Sequence, residues 1–251
     1  MGKAPLTVTA DNQTKVYGAA NPTLTAPIAG FQNSQTTAVL TGTPALSTAA
    51  TTGSGVASYA ITAALGTLAS GNYSFGFVDG ALAVTKAPLT VTADNKNRAY
   101  GASDPAFTAT LTGFVNNDTS AVVTGAAALS STVTPTSVAG SYPITPAIGT
   151  LTAANYAFTT FTNGTFTVGQ TSQTLTFGAL ASKTFGDAAF SVSATSTSGL
   201  TPSYSIVSGP ATISGATVTI TGAGTVVVRA SQAGDGNYTA ATPVDQSFTV
   251  A

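Results

Sequence analysis

The stretch KVYGAANPTLTAPIAGF (residues 15–31) returns in altered form as RAYGASDPAFTATLTGF (98–114), and KTFGDAAFSVSATSTSG (183–199) keeps its aromatic-Gly pair. Two interpretations are open: a chemical site copied several times, or an element of architecture. The aromatic residue is Tyr in the first two copies and Phe in the third, so not every copy requires a hydroxyl group. Either ring can pack against neighbouring chain, and architecture is therefore favoured.

The sequence around this stretch is duplicated as well. Residues 4–78 align with 87–161 without a gap, at a spacing of 83 residues, and about half of the aligned positions are identical. A third unit is a distant relative that keeps an aromatic-Gly pair and a Gly-Asn-Tyr sequence. A period of this size is typical of tandem modules. We therefore predict three domains, at residues 1–86, 87–169 and 170–251.

Apolar residues alternate with Thr inside each repeat. In PLTVTA, Leu89 and Val91 fall on one face of a strand, and Thr90 falls on the other. Short runs of this kind, separated by Gly, Pro, Asn and Ser, predict about seven strands per repeat. The pattern predicts an all-β chain of tandem immunoglobulin-like antiparallel β-sandwich domains in an elongated array. Pro143, which lacks an N–H donor, is expected on an edge strand or at a bulge.

The composition excludes two classes of partner. Charged residues make up 6% of the chain and the net charge is -1, whereas an average protein is about 25% charged. The seven basic residues are scattered, so no basic stripe is present that could bind a nucleic-acid backbone. Thr, Ser, Gly or Asn interrupts every apolar run before it reaches about 18 residues, the length of a membrane-spanning helix. Neither nucleic-acid binding nor membrane insertion is expected.

The first two repeats join through a short segment. Lys86-Ala87-Pro88 connects the last predicted strand of one repeat to the first of the next, and proline restricts the angle between them. Lys3 stands before the first repeat as Lys86 stands before the second. No signal peptide precedes the first repeat, and we expect the chain to be a segment of a longer protein.

The side chains on which catalysis usually depends are missing. The sequence contains no His, Cys, Glu or Trp, which removes the commonest general base, the thiol nucleophile and most metal ligands. Ser182 and Lys183 are adjacent on a predicted strand, so their side chains would point to opposite faces. We therefore predict no enzyme activity, no catalytic residue and no cofactor.

Calcium is the one metal for which candidates exist. They are Asp235 in AGDGNY, and Asp11 and Asp94 in the two copies of TADN. One carboxylate per site is few for an ion that takes six to eight oxygen ligands, so turn formation is favoured. Asp118 begins an Asp-Thr-Ser sequence like that of an aspartic-protease loop, but the following Gly is missing and a turn is again favoured.

The repeated aromatic and glycine residues are predicted to be structural. The glycines supply a positive φ or a close backbone contact beside the ring. A second set of tyrosines, each preceded by Asn, resembles the tyrosine corner of immunoglobulin-like sandwiches, in which the phenol bonds nearby main chain. We expect all of them to hold their own sandwich closed. The residues are Tyr17, Gly18, Tyr100, Gly101, Phe185, Gly186, Tyr73, Tyr156 and Tyr238.

The ordered pattern YGxxxPxxTAxxxGF, followed by SYxIT, GTL and NYxF, resembles the MBG repeats of the YGX type over residues 4–169. The resemblance implies extracellular β-sandwich modules that occur in tandem in very large secreted surface proteins of bacteria, and it implies no catalytic residues. The third unit is similar to the bacterial immunoglobulin-like repeats that adjoin such arrays.

Together, these observations predict a non-catalytic spacer or stalk in a large bacterial adhesin or surface fibre protein, on the cell surface or secreted. Its partners would be neighbouring repeats of the same parent chain. Low charge also leaves homotypic association into a filament open, because strand edges could pair side by side. The alternative is an adhesive module that binds a glycan or a host or matrix protein, most readily through the third domain.

Overall fold

The computed structural model describes residues 2–251, and this part of the chain is built of short β-strands. Its helical content consists of two 3₁₀ turns, η1 (Thr37–Val39) and η2 (Ser120–Val122). Thr, Val and aromatic residues alternate along the strands, while Gly, Pro and Asn lie between them, in accord with β propensity. The prediction of an all-β fold is confirmed.

The first repeat is a pair of sheets. Its strands are β1 (Ala4–Thr9), β2 (Gln13–Val16), β3 (Ile28–Ala29), β4 (Ala45–Thr48), β5 (Ser58–Ala64), β6 (Tyr73–Val78) and β7 (Gly80–Thr85). One sheet has the order β3-β1-β6 and the other the order β2-β7-β5-β4. This two-sheet arrangement is the predicted immunoglobulin-like sandwich.

The sheets are mixed, which differs from the antiparallel pairing expected. β1 runs parallel with β6, and β2 runs parallel with β7, while the other pairs are antiparallel. The two parallel pairs form one ribbon that changes sheet as a unit, and Ala10 N–H bonds Val78 O (2.9 Å) at the crossing. Period-two alternation reports which face is buried and not which strand lies alongside, so the sequence pattern could not reveal the ribbon.

The core of the first repeat lies between its two sheets. Ile61 of β5 and Leu82 of β7 are fully buried, and Phe77 of β6 packs against them. Leu6 and Val8 point inward from β1, as the alternation predicted. Burying each such side chain contributes about 1.5 to 3 kcal/mol.

The second repeat follows the same plan. Its strands are β8 (Ala87–Ala93), β9 (Lys96–Ala99), β10 (Ala109–Thr112), β11 (Val123–Thr124), β12 (Ala128–Ser131), β13 (Gly140–Ala147), β14 (Thr152–Ala153), β15 (Tyr156–Thr162) and β16 (Gly164–Gly169). The sheets have the orders β10-β8-β15, β11-β14 and β12-β13-β16-β9. A parallel ribbon is again present, since β8 pairs with β15 and β9 with β16.

The prediction for Pro143 is wrong. Pro143 lies in β13, which has β16 on one side and β12 on the other, so it is not on an edge strand. In the first repeat, the equivalent pairing of β4 with β5 ends at Thr48↔Ile61, one residue short of the position that corresponds to Pro143. β12 ends at Ser131, the equivalent of Thr48, so the same register would leave Pro143 just beyond the last residue paired with β12, where proline is tolerated.

The third repeat is also all-β, but its strands differ and form three sheets. The strands are β17 (Leu175–Phe177), β18 (Phe190–Ser191), β19 (Ala194–Ser196), β20 (Ser203–Ser208), β21 (Ala211–Ser214), β22 (Thr217–Ile220), β23 (Gly224–Ser231) and β24 (Val244–Val250). The sheets have the orders β17-β19, β18-β22-β21 and β20-β23-β24. Val218, Val226 and Phe248 belong to its core. A parallel bridge between Lys183 and Val250 is what remains of the ribbon.

Backbone contacts divide the chain into two units. One holds the chain up to Asp94 with Thr108–Ser130 and Thr145–Asn163, and the other holds Asn95–Phe107, Ser131–Ile144 and Gly164–Ala251. The division runs through the second repeat, so each unit contains one junction between consecutive repeats. The division into three domains by repeat stays a prediction.

Candidate interaction site at the junctions between repeats

Tyr17 lies where the first repeat passes into the second. It directly follows β2, and its N–H bonds Thr85 O (2.8 Å) at the end of β7. Lys86 alone separates β7 from β8. The parallel pairing of β2 with β7 therefore places the Tyr ring beside the linker, at what we call the first junction.

The ring of Tyr17 packs against the next repeat. Its centroid is 5.5 Å from that of Tyr156, with the ring planes at 86°, an edge-to-face contact. Both rings belong to one buried cluster with Val84, Ala87 and Leu89. Tyr17 thus fills a core shared by two repeats, whereas the sequence suggested that it closes only its own sandwich.

A carboxylate joins the two phenols of the first junction. Tyr17 and Tyr156 both donate their hydroxyl hydrogens to Oδ2 of Asp118, at 3.0 and 2.8 Å. The Tyr156 hydroxyl also accepts the N–H of Val115 at 3.1 Å. Burial raises the pKa of Tyr156, with a smaller contribution from Asp118, and the Val115 backbone bond opposes the shift. Asp118 is therefore a hydrogen-bond acceptor shared by the two phenols.

Gly18 allows the chain to approach this contact. Its φ is +84°, and a Cβ atom there would lie 2.4 Å from Cγ2 of Val115. Gly101 and Gly186 also have positive φ, at +79° and +102°, but a Cβ atom would meet nothing within 4 Å at either position. Only the first of the three glycines is thus required for close packing as well as for backbone conformation.

Asn155 makes a second connection across the first junction. Its Oδ1 accepts the N–H of Val56 in the first repeat at 3.0 Å. Its backbone carbonyl accepts the N–H of Ala87 at 2.9 Å. One residue thereby fixes both the linker and a loop of the preceding repeat.

The second junction repeats these contacts. The rings of Tyr100 and Tyr238 meet edge to face at 5.6 Å. Oδ1 of Asn237 accepts the N–H of Ala139 at 2.9 Å, and Ala139 is the equivalent of Val56. Thr171 donates its hydroxyl to Tyr100 O at 2.6 Å. The Tyr-to-Tyr and Asn-to-backbone contacts are therefore a recurring device.

A buried basic residue ties down the loop beside each Tyr. Lys15 bonds the carbonyl oxygens of Ala19 and Thr51. Its equivalent, Arg98, bonds Thr134 O at 2.7 Å and also pairs with Asp104, which stands where the first repeat has Asn. The side chain of Arg98 is 2% exposed, so these acceptors replace the water that would otherwise bond its guanidinium group.

Phe185, the third aromatic of the opening pattern, is 60% exposed. Its N–H bonds Ala251 O (2.8 Å), as Tyr17 bonds Thr85 O, so the local backbone is the same. No aromatic ring contacts it within the described residues, so its exposure contrasts with the burial of Tyr17.

Tyr73 has the equivalent place at the start of the first repeat. Its hydroxyl donates to Oε1 of Gln35 at 2.7 Å and accepts the N–H of Gln32 at 3.1 Å, and its ring meets Phe31 edge to face. The main-chain bond is to Gln32, 41 residues upstream, and the other is to the Gln35 side chain, whereas a tyrosine corner bonds main chain nearby in sequence. For Tyr238 the aromatic contact with Tyr100 takes the place of such bonds.

The three calcium candidates lie in connections between strands. Asp235 accepts the N–H groups of Asn237 and Tyr238 at 2.8 and 2.9 Å. Asp11 accepts the hydroxyl of Thr25, and Asp94 accepts that of Thr108. Within residues 2–251, no group of three or more acidic, His or Cys side chains lies close enough to hold a metal ion.

Sequence reasoning missed the residues that connect the repeats. The sequence pattern around Asp118 indicated a turn or, less well, a protease-like loop, and Asn155 and Asn237 were considered only as the residues before a tyrosine. The signal available was that Asn precedes Tyr in all three repeats, at Asn72, Asn155 and Asn237. A turn does not require that Asn, so its recurrence points to a contact outside the repeat.

These junctions define a class of protein: all-β modules joined in tandem by shared aromatic contacts. The chain belongs to the family described as MBG domain (YGX type), which matches residues 6–83 and 89–167. MBG repeats occur in surface and secreted proteins and are typically non-catalytic. The predicted resemblance is confirmed for the first two repeats. No curated protein matches the sequence.

Similar solved structures include fragments of titin and of Drosophila N-cadherin. A titin fragment of three immunoglobulin domains is 9% identical, with all of both chains covered and a TM-score of 0.29. Drosophila N-cadherin EC1-4 is 11% identical over 77% of this chain, which spans 58% of the cadherin chain, with a TM-score of 0.27. At these identities and scores the similarity supports no inference about function. Within residues 2–251, no helix is long and apolar enough to cross a membrane.

Proposed function

We propose that the chain is a non-catalytic spacer in a bacterial adhesin-like protein, exposed on the cell surface or secreted, where it holds a distal binding region away from the cell. The family supplies the setting, since MBG repeats occur in surface and secreted proteins. The low charge fits this role because few Lys and Arg residues leave few sites for proteases that cut at basic residues.

The observation on which the proposal rests is the repeated junction. In both junctions, a Tyr ring of one repeat packs on a Tyr ring of the next, at 5.5 and 5.6 Å. In both, an Asn side chain accepts a backbone N–H from the preceding repeat. A spacer needs neighbours held at a set angle, and such contacts supply that constraint where a flexible linker would not.

Small-angle scattering tests the spacer role. A compact protein of this length would have a radius of gyration of about 18 Å. We expect a clearly larger value for the 251-residue chain, unchanged between dilute and concentrated samples. A value near the compact one would contradict the spacer proposal, and growth with concentration would favour self-association instead.

An adhesive role is the second candidate, and exposed Phe185 favours it. Large aromatic side chains that are 60% exposed are typical anchors of protein interfaces. The test is binding of the full chain to arrays of glycans and matrix proteins, beside the Phe185→Ser variant. Binding that the substitution removes would support the adhesive role, and the absence of any binding would remove it.

A further inference from the structure

The starting face of the first repeat carries the same kind of surface that both junctions cover. Asn72 and Tyr73 occupy the positions of the Asn-Tyr pair that receives a Tyr ring at each junction. Around them lies an open cavity of about 360 Å³. We call this surface the socket. Its lining includes Lys3, Gln32, Asn33, Gln35, Asn72 and Tyr73.

The socket is already formed. Tyr73 is held by Gln35 and Gln32 as Tyr156 is held by Asp118 and Val115. The loop has the same backbone in both places, since Asn33 has a φ of +53° and its equivalent Asn116 has +54°. A surface that needs no rearrangement loses little conformational entropy on binding.

Asn72 differs from its two equivalents in exposure and in side-chain hydrogen bonding. Asn155 and Asn237 are half-buried, and each accepts a backbone N–H from the preceding repeat. Asn72 is exposed, and its side-chain amide has no hydrogen bond to any residue from 2 to 251. Its Oδ1 is free to accept a bond of the kind that both of its equivalents make.

We propose that the socket binds the Tyr-Gly end of another MBG repeat placed before it. This inference rests on the proposed function, since it gives the spacer a further module. The incoming phenol donates to Oε1 of Gln35, its ring meets the edge of Tyr73, and a backbone N–H bonds Oδ1 of Asn72. The acceptor on Gln35 selects Tyr over Phe, and so selects an MBG repeat over the Phe185 end of a second copy of this chain.

The test is an extended chain in which residues 87–169 are placed directly before Lys3. This fusion reproduces the first junction, with one Lys between the last strand and Ala4, and it leaves the first repeat as a unique sequence. Hydrogen exchange measured by mass spectrometry on residues 70–79 then reports opening of the socket strand β6. Exchange of β6 is measured in the 251-residue chain and in the extended chain, each with Asn72 intact and with the Asn72→Ala substitution.

We expect β6 to exchange more slowly in the extended chain. Asn72→Ala should leave exchange unchanged in the 251-residue chain and raise it about fivefold in the extended one, because only there does a hydrogen bond depend on it. Tyr100→Ala in the added copy should also remove protection. Equal exchange of β6 in the two chains, or no effect of Tyr100→Ala, would overturn the proposal.

Other occupants give different results. One alternative occupant is a second copy of the chain. In that case the 251-residue chain would self-associate in sedimentation, Asn72→Ala would abolish the association, and the extended chain would show no added protection of β6. This set of results would show that the proposal is wrong. A compact scattering profile would contradict the spacer role without changing the exchange result, so the two proposals fail independently.

Discussion

At the scale of single residues, one sequence position has different surroundings in each repeat. Tyr17 is buried against the second repeat, Tyr100 is half-buried against the third, and Phe185 is exposed. The Tyr or Phe ring is therefore a contact residue whose burial depends on the next module.

Tyr17→Ala should lower the free energy of unfolding by about 3 kcal/mol, because it deletes a buried ring from a shared core. Phe185→Ala, at the matched position, should change it by less than about 0.5 kcal/mol, since the ring is 60% exposed. Urea unfolding of both variants checks this. Similar losses for both would show that the ring acts within its own repeat.

Gly18→Ala should be more harmful than Gly101→Ala. Both place a Cβ atom in left-handed backbone, at about 1 to 2 kcal/mol, but only at Gly18 does the atom collide with Val115, which adds about 1 to 3 kcal/mol. The comparison of urea midpoints isolates the collision because the two φ angles differ little. Equal destabilisation would mean that Val115 moves away freely.

The raised pKa of Tyr156 predicts a loss of stability at alkaline pH. Below the unfolded value of about 10, both states hold the proton and the contribution is complete. As the pH rises through 10 towards the higher folded value, the unfolded state ionises first and stability falls. Unfolding measured at pH 8 and pH 11 should show a smaller loss for Tyr156→Phe than for the parent chain. Equal losses would assign the effect to other tyrosines.

At the scale of elements, the alternation of PLTVTA correctly predicted the buried face of β1 and β8. Leu6, Val8, Leu89 and Val91 are all 1% exposed or less. The parallel ribbon could not be predicted, because period two is the same for either strand direction. The contact of Tyr17 with Asp118 joins residues 101 apart, and no local pattern encodes a pairing at that distance.

Because Arg98 is buried, the stability of the loop that it bonds should depend on its partner Asp104. Asp104→Asn should cost about 2 to 3 kcal/mol, less than a fully buried pair, since the Asp104 side chain is 27% exposed. The double variant Arg98→Lys with Asp104→Asn should recover most of the loss, because the first repeat uses Lys15 and Asn21 at these positions. Urea unfolding measures both.

A suitable control is Asp245→Asn, which breaks the exposed pair with Arg229. Its effect on unfolding should be small. If the Arg98 double variant were no more stable than Asp104→Asn alone, the loop would depend on the guanidinium itself.

At the scale of the whole molecule, the same junction contacts occur once in each of the two units. Neighbouring repeats therefore share buried residues, and the short linker is part of a continuous hydrogen-bonded structure. Ala87, next in sequence to Lys86, is 2% exposed and bonds Asn155 O. The junction should accordingly behave as folded structure towards a protease.

Trypsin should cut after Lys3 and leave Lys86 intact under native conditions, although the Lys86 side chain is exposed. Cleavage needs a locally unfolded segment, and strands β7 and β8 are paired on both sides of Lys86. Mass spectrometry of the digest identifies the cuts. Inserting Gly-Ser-Gly-Ser after Lys86 should make the site labile, and rapid cutting there in the parent chain would contradict an ordered junction.

The parallel ribbon has a consequence when tension is applied along the chain. Pulling the two ends of the first repeat apart draws β2 and β7 past each other lengthwise, in shear. The hydrogen bonds from Gln13↔Leu82 to Val16↔Thr85 then bear the load together instead of parting one at a time. Strands loaded in shear need a higher force to separate than strands peeled apart one bond at a time. Resistance to force along the chain is the mechanical property required of a tether under flow.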